Sequence, residues 1–523
     1  MEITLITEGT YPYHLGGVSV WCDQLLHGIP EHRFNVLAIG ATGTEKKRYA
    51  PPANVARVDT IPLWAQVPRR KAGPVLSKRF RPFQEDFFRS IIVEDHAAAF
   101  VGSLQMLSRY ALAGQLAAAM YTEEAVEMLL ALAPVGTKGR GGQVQGRLSV
   151  ADAIDVLVLL EHFLRPLATS PPRADLCHST ANGLGALPAL MAKWNWGTPF
   201  LMTEHGVYLR ERYLSYKPGS LSQPARAVVL RFFNLLTRVA YEHADLVAPV
   251  CRYNRLWEVA NGTPPARIRP VHNGIDPASF PVIRTELPVP TLVWVGRVDP
   301  LKDVETLLRA FAKVREEVPD CRLRLFGPGP ESGDEYFRKC VKLSAELGLD
   351  NGAATFEGAI SPPAEAYQAG HVFVFTSISE GFPYVVIEAM ASGLPVVATD
   401  VGGVAEAVGD SGLLVPPRDV NAVAAACVRL LAHTAEREAL GAAARSRVMQ
   451  QFTTERCFAS YRELYRELGA RSPDVIHLTD ADGPVYGPGR WPGLAGGPAS
   501  YDEELQPVSA DRGSTASGPG VLA

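Results

Sequence analysis

Six short apolar runs in the second half of the chain, separated by helical patterns, constrain the fold more than any other feature. They are Leu292-Val-Trp-Val-Gly296, Arg322-Leu-Arg-Leu-Phe326, Ala354-Thr-Phe-Glu357, Val372 to Thr376, Pro395-Val-Val-Ala-Thr399 and Gly412-Leu-Leu-Val415. The run ending at Thr376, β-branched and aromatic without polar alternation, suits a strand covered on both faces, as in parallel sheets. Strands that alternate with helices join through right-handed crossovers into a doubly wound sheet. The first half repeats the rhythm, with strands at Glu2 to Thr7, Arg33 to Ala41, Asn54 to Leu63, Asp175 to Thr180, Pro199 to Thr203 and Asp245 to Val250. The predicted fold class is α/β, with two doubly wound, Rossmann-like domains facing a cleft.

The rhythm breaks between residues 68 and 172. Leu, Met and Ala recur there at three- and four-residue spacing from Gln84 to Ala131, and Pro134 to Gly142 is a glycine-rich loop. This reads as a helical insertion used for packing. Pro277 to Pro290 holds four prolines and no periodicity, which marks a linker. The expected division is a first domain over 1–280, a second over 290–452, and a helix over 453–470 that crosses back to the first. Residues 471–523, rich in Pro, Gly, Ser and Asp, are expected to be a disordered tail.

A chain of 523 residues allows about two to four domains. With a net charge of −4 it lacks the basic surface of a nucleic-acid binder, and no nucleic-acid partner is expected. Its seven cysteines are scattered without a Cys-x-x-Cys pair, as for reduced thiols. The start, Met1-Glu-Ile-Thr-Leu, is already a strand and lacks the pattern of a signal peptide. No apolar run reaches the roughly 20 residues of a membrane span. The expected location is the cytoplasm, with a peripheral position at the inner face of the cell membrane as the variant.

Ligands of open α/β sheets collect at the carboxyl ends of strands, and four stretches carry suitable chemistry there. Thr376 to Ala391 places Glu380 and Gly381-Phe382 in a loop after a strand, Pro383 at the first position of a helix, and Glu388 about one and a half turns along it. Backbone amides at that helix start make an anion site between two carboxylates. This suits a sugar nucleotide, though the carboxylates alone also admit an acid–base reading. Gly16-Gly17, between the first strand and helix, lets backbone approach a ligand. His205 follows a strand in Glu204-His-Gly206, with two arginines just beyond. Arg297 and Lys302 follow another strand, where a guanidinium can fork onto phosphate oxygens and an ammonium can act as a mobile charge.

Other chemistries are excluded by missing residues. Gly327-Pro-Gly-Pro-Glu331 would need a glycine at 332 to bind a dinucleotide, and Ser332 stands there. No Gly-x-x-x-x-Gly-Lys-Ser/Thr and no His-Glu-x-x-His occurs. The one Asp-x-Asp, Asp480-Ala-Asp482, lies in the tail rather than beside a strand. Side-chain cations and a helix start are therefore expected to hold a diphosphate, with no metal and no cofactor.

The second half resembles retaining glycosyltransferases of the GT-B type, family 4. The likeness rests on Gly296-Arg297 with Lys302, Phe356-Glu-Gly-Ala359, Ser379-Glu-Gly-Phe-Pro383 with Glu388, Gly393-Leu-Pro-Val-Val-Ala398 and Val401-Gly-Gly403. The first half is similar to the narrower PelF-like group, through Thr7 to Tyr13, Gly16-Gly-Val-Ser19, Trp21-Cys22 and Thr203-Glu-His-Gly-Val207. The helical insertion also fits that group. The resemblance implies a nucleotide-diphosphate sugar donor, UDP-linked by preference, and a glycan or lipid-linked acceptor. It places the enzyme in bacterial exopolysaccharide synthesis, beside membrane-bound synthase partners. By the same resemblance Arg297 and Lys302 bind the diphosphate, Glu388 holds the ribose diol, and Glu380 with the amides of Gly381 and Phe382 holds the sugar. Gly17, beside Gly16, approaches the phosphates, the backbone of Ala359 and Ile360 reads the base, and His205 sits over the donor sugar. Retention through front-face attack, with the leaving phosphate taking the acceptor's proton, is likewise the family expectation. Two other readings stand beside it: a non-catalytic sugar-nucleotide-binding subunit, and a sugar-nucleotide epimerase of the same architecture.

Overall fold

The computed structural model describes residues 1–65, 74–93, 98–132, 147–215, 221–282, 287–328 and 335–470. The glycine-rich loop at 134–142, part of the 327–331 stretch and the tail with Asp480 and Asp482 lie outside the described residues. Strands β1 (Glu2–Glu8), β2 (Arg33–Gly40), β3 (Val55–Pro62), β4 (Leu176–Ser179), β5 (Phe200–Glu204) and β6 (Leu246–Pro249) form a six-stranded sheet in the order 3-2-1-4-5-6. Strands β7 (Thr291–Val295), β8 (Arg322–Phe326), β9 (Ala354–Gly358), β10 (Val372–Phe375), β11 (Val396–Thr399) and β12 (Leu413–Val415) form a second, in the order 12-11-10-7-8-9. Every strand pairing is parallel. The two orders are the same winding, and each reverses direction between its first and fourth strands. Those reversals, β1/β4 and β7/β10, are where such sheets open a crevice.

The central strands have no polar face because helices cover both sides. All four residues of β4, β6, β10 and β11 are buried, as are all five of β5. In the first lobe one face is covered by the inserted helices. The stretch read as helical from Gln84 to Ala131 holds the helices Pro74–Ile92, Ala99–Leu112, Leu116–Met120 and Glu123–Leu132, followed by Val150–Leu164. Gly114, at φ 71°, breaks the run after Leu112, since a left-handed residue cannot continue a helix. Their aromatic residues Phe87, Phe88, Phe100 and Phe163 pack with Phe232 and Phe233 of the helix Gln223–His243.

The opposite face of the first sheet is closed by the helix Thr454–Gly469, which arrives from the far end of the sequence. It buries Tyr461, Leu464, Tyr465 and Leu468 against Ile3, Leu5, Trp21 and Leu25. Each such side chain contributes roughly 1.5–3 kcal/mol of burial. Two hydroxyls on this helix are also satisfied. Tyr465 meets His178 Nδ1 at 2.8 Å, Tyr461 meets Thr203 Oγ1 at 3.0 Å, and His178 Nε2 meets the same Thr203 oxygen at 2.8 Å. Thr203 and His178 lie in β5 and β4, so this helix anchors the strands that lead into the cleft.

Candidate active site

The carboxyl-end loops of the two sheets meet. Gly381, after β10, approaches the residue after β5 so closely that a Cβ on it would fall on the carbonyl oxygen of His205. Only glycine fits there. Gly403, after β11, donates its amide to Gly381 O at 2.8 Å and lies against Cys251, at the end of β6. Tyr384 of the helix Tyr384–Ala391 donates to Gln24 Oε1 at 3.2 Å, and a Cβ on Gly17 would stand 3.5 Å from its ring. Beside them, Arg252 N donates to Glu406 Oε2 at 2.6 Å, and His272 Nε2 lies 2.6 Å from Glu406 Oε1.

Within the second lobe the loop after β7 is tied to the loop after β10. Ile378 N donates to Leu301 O at 2.8 Å, and Thr376 Oγ1 to Lys302 O at 3.0 Å. These bonds bring Lys302 Nζ to 2.5 Å from Glu380 Oε1, with side-chain exposures of 21% and 13%. A charge pair at that burial is screened less than a surface pair and holds both groups in place. Arg297 shares the loop but not the cluster: its side chain is 73% exposed and its guanidinium pairs with Asp299 at 3.4 Å. Of the two cations singled out in the sequence, the structure joins only Lys302 to the carboxylate loop.

Glu388, one turn into its helix, accepts a 2.5 Å hydrogen bond from the buried hydroxyl of Tyr367. Burial pushes its carboxyl up to about 6, and the Tyr367 hydroxyl works against that rise. Pro383 is the residue before this helix rather than its first position, with an extended ψ of 124°. Asn273, between the lobes, donates to Phe382 O at 3.0 Å and fixes the start of the helix from outside. Ala359 and Ile360 follow Gly358, the last residue of β9, which lines a cavity of about 90 Å³ with Trp294, Val298, Phe326, Phe337 and Phe356; neither Ala359 nor Ile360 lines it.

On the facing lobe, Gly16 precedes the helix Gly17–Gly28 in an extended conformation, and no neighbour crowds it. The ring of His205 packs edge-on against Trp21 at 4.8 Å, and its Nε2 has no hydrogen-bond partner among the described residues. Burial drives its pKa down to about 3, so the imidazole is neutral near pH 7 and cannot serve there as a cation. The same lobe holds a further carboxylate at a strand end. Glu8, at the end of β1, accepts from Arg212 at 2.5 Å, from Gly185 N at 3.1 Å and from Tyr208 at 3.3 Å. Burial raises its carboxyl, and the Arg212 charge is the largest influence opposing that rise. The signal for Glu8 was its place at a strand end; the signal for Arg212 was its place just past His205. Among the described residues, no group of three or more His, Cys, Asp or Glu stands together as metal ligands would.

Residues 1–266 match the family described as a domain of unknown function, DUF3492, and residues 289–433 match the family described as glycosyl transferases group 1. The chain is similar to the D-inositol 3-phosphate glycosyltransferase of Saccharomonospora viridis, at 32% identity over 324 residues, covering 57% of this chain and 71% of the relative. A relative of the same name from Thermobispora bispora is 33% identical over 315 residues, covering 57% and 71%. Among solved structures it is similar to a sucrose-phosphate synthase from Thermosynechococcus elongatus, with a TM-score of 0.59, 21% identity, and coverage of 90% of this chain and 100% of that one. HepE of Anabaena, solved with UDP-glucose, gives a TM-score of 0.54 at 16% identity, covering 89% and 100%. At these identities the structural likeness shows the fold alone, which is the two-domain GT-B architecture. No helix among the described residues is long and apolar enough to cross a membrane. Two facing doubly wound lobes, a lysine–carboxylate cluster at the second crevice and relatives covered over most of their length agree: the chain belongs to the group 1 glycosyl transferases, and it is a glycosyltransferase.

Proposed function

We propose that the enzyme transfers a sugar, with retention and without a metal, from a nucleotide-diphosphate donor to a glycan or lipid-linked acceptor. The observation that carries this reading is the Lys302–Glu380 pair at the carboxyl end of β10, with the His205 backbone pressed onto Gly381 and Glu388 on the helix that follows. Lys302 would leave Glu380 for the diphosphate, where a preorganised ammonium stabilises charge on the leaving group. Glu380, so released, would accept from sugar hydroxyls, and Glu388 from the ribose diol. Neutral His205 would contribute a polar edge over the sugar rather than a charge. With the carboxylates occupied as hydroxyl acceptors, front-face attack leaves the departing phosphate oxygen to take the acceptor's proton. Arg297 reaches the phosphates in this reading by leaving Asp299, a pair exposed enough to exchange freely.

UDP is the favoured nucleotide, since HepE was solved with UDP-glucose. Exopolysaccharide synthesis beside a membrane-bound synthase rests on the PelF-like features of the first lobe. The test is donor turnover by the wild type, Lys302→Ala and Glu388→Ala, with product identified by mass spectrometry and with EDTA in parallel. Turnover should fall by orders of magnitude in both variants and persist in EDTA. Near-wild-type transfer by either variant would sink the site assignment, and epimerised sugar in place of transferred sugar would sink the reaction.

A further inference from the structure

Just beneath His205 lies a group of buried acids that the transfer reaction does not use. Glu204, the last residue of β5, is 1% exposed, and Glu258, on the helix Arg252–Ala260, is fully buried. The Tyr241 hydroxyl reaches both oxygens of Glu204, at 2.7 and 2.8 Å, and Tyr208 N reaches one at 3.5 Å. Neither oxygen of Glu258 meets a donor among the described residues. What it meets is the Glu204 carboxyl, close enough to hydrogen-bond once one of the two carries a proton. Two bare carboxylates in that space would repel each other in a low dielectric, with the second left wholly unsatisfied.

The same helix meets residues of both lobes. Asn254 donates to Glu204 O at 3.2 Å, Cys251 lies against Gly403, and Arg252 N reaches Glu406. A bond between Glu204 and Glu258 therefore joins the strand end that carries His205 to the helix that meets the donor-side loops. We propose that Glu204 and Glu258 share one proton, and that this acid pair is the positioning device that holds His205 in register with the Glu380–Gly381 loop. The proposal rests on the transfer reading for its functional half. The proton-sharing half stands on the burial of both carboxyls and on the Glu258 oxygens that meet no donor among the described residues.

Burial and the partner carboxyl both raise Glu258, and burial raises Glu204 against the Tyr241 hydrogen bond. The other groups facing the pair are Glu211, which opposes ionisation of Glu204, and exposed Arg255, which favours ionisation of Glu258. Because the native state keeps a proton that the unfolded chain releases above about pH 4.5, stability falls as pH rises through the pair's raised range. One retained proton makes the unfolding constant grow about tenfold per pH unit. Glu258→Gln replaces the shared proton with an amide hydrogen that does not titrate.

The experiment is denaturant unfolding of the full chain and of Glu258→Gln and Glu204→Gln from pH 5 to pH 9, together with UDP release from UDP-glucose over the same range. Each variant should show an unfolding constant about tenfold less steep per pH unit somewhere in that window. Its turnover should persist to higher pH than the wild type's, with the change in kcat and not in KM. Slopes equal to the wild type's in the variants overturn the shared proton, and if Glu258→Gln does not fold, Glu204→Gln decides alone. Flattened slopes with an unmoved pH profile overturn the positioning role. No turnover of UDP-glucose by the wild type counts against the donor reading, and the unfolding slopes still judge the pair.

Discussion

Replacing Tyr367 with phenylalanine separates the ionisation of Glu388 from the shape of its surroundings. The ring stays and one hydroxyl goes, removing the 2.5 Å hydrogen bond to Glu388 Oε2. A hydrogen bond to an ionised group contributes about 1.5–3 kcal/mol, which at 1.36 kcal/mol per unit raises a carboxyl by roughly one to two pH units. Glu388 starts at about 6, so the wild type is mostly ionised at pH 7. The variant would titrate near pH 7 to 8 and hold between about a half and a tenth of the carboxylate at pH 7. If that carboxylate accepts from the ribose diol, UDP affinity falls about two- to tenfold at pH 7 and recovers by pH 9. Stability carries the opposite sign of pH dependence: a carboxyl raised above its unfolded value contributes stability below about pH 4.5 that is lost as pH rises through its folded value. Calorimetric titration with UDP at pH 6, 7, 8 and 9 checks the effect. A loss of affinity equal at all four pH values, or none at pH 7, refutes the assignment of Glu388 to the ribose.

Gly381→Ala should cost about 1–3 kcal/mol of stability, because its Cβ meets the His205 carbonyl, and turnover should fall with it; an unchanged melting temperature contradicts the contact between lobes. Lys302→Met leaves Glu380 without its partner and should destabilise by about 1–2 kcal/mol. Adding Glu380→Gln should restore stability without restoring turnover, and a double mutant no more stable than the single would deny their coupling. His178 and His205 are both held down to about 3 by burial, so each binds a proton only on unfolding. Stability should therefore be lost as pH falls below about 6.5, at up to tenfold per unit for each histidine. Unfolding of His178→Gln from pH 7 to pH 4 should show a shallower slope than the wild type.

The central strands were legible because parallel, doubly covered strands need apolar residues, and the outer ones because they alternate with helical patterns; the ends of all of them fall within about a residue or two of the runs. The helix Tyr384–Ala391 ends two residues before Gly393, as its pattern places it, and starts one residue after Pro383, which the pattern puts inside it. Side-chain partnerships were not legible, because no periodicity reports which distant residues meet. Lys302 and Glu380 are 78 residues apart, Arg212 and Glu8 204, and Tyr465 and His178 287. Arg297 and Lys302 carry equal weight as residues after a strand, and only the loop bonds at Leu301 and Lys302 turn one of them toward the carboxylate. Nothing in their local sequence singles out Tyr367 or Glu258. Their significance comes from burial beside a carboxylate, which is a property of the fold.

The most direct test of the account is thermal unfolding of the wild type and of Glu388→Ala with UDP-, GDP- and ADP-sugars. A ligand that binds the native state at a hundred times its Kd stabilises by about 2.7 kcal/mol. The account predicts a clear rise in melting temperature with a nucleotide-diphosphate sugar, largest for a UDP-sugar, and most of that rise lost in Glu388→Ala. No rise with any of them, or an equal rise in the variant, would contradict it.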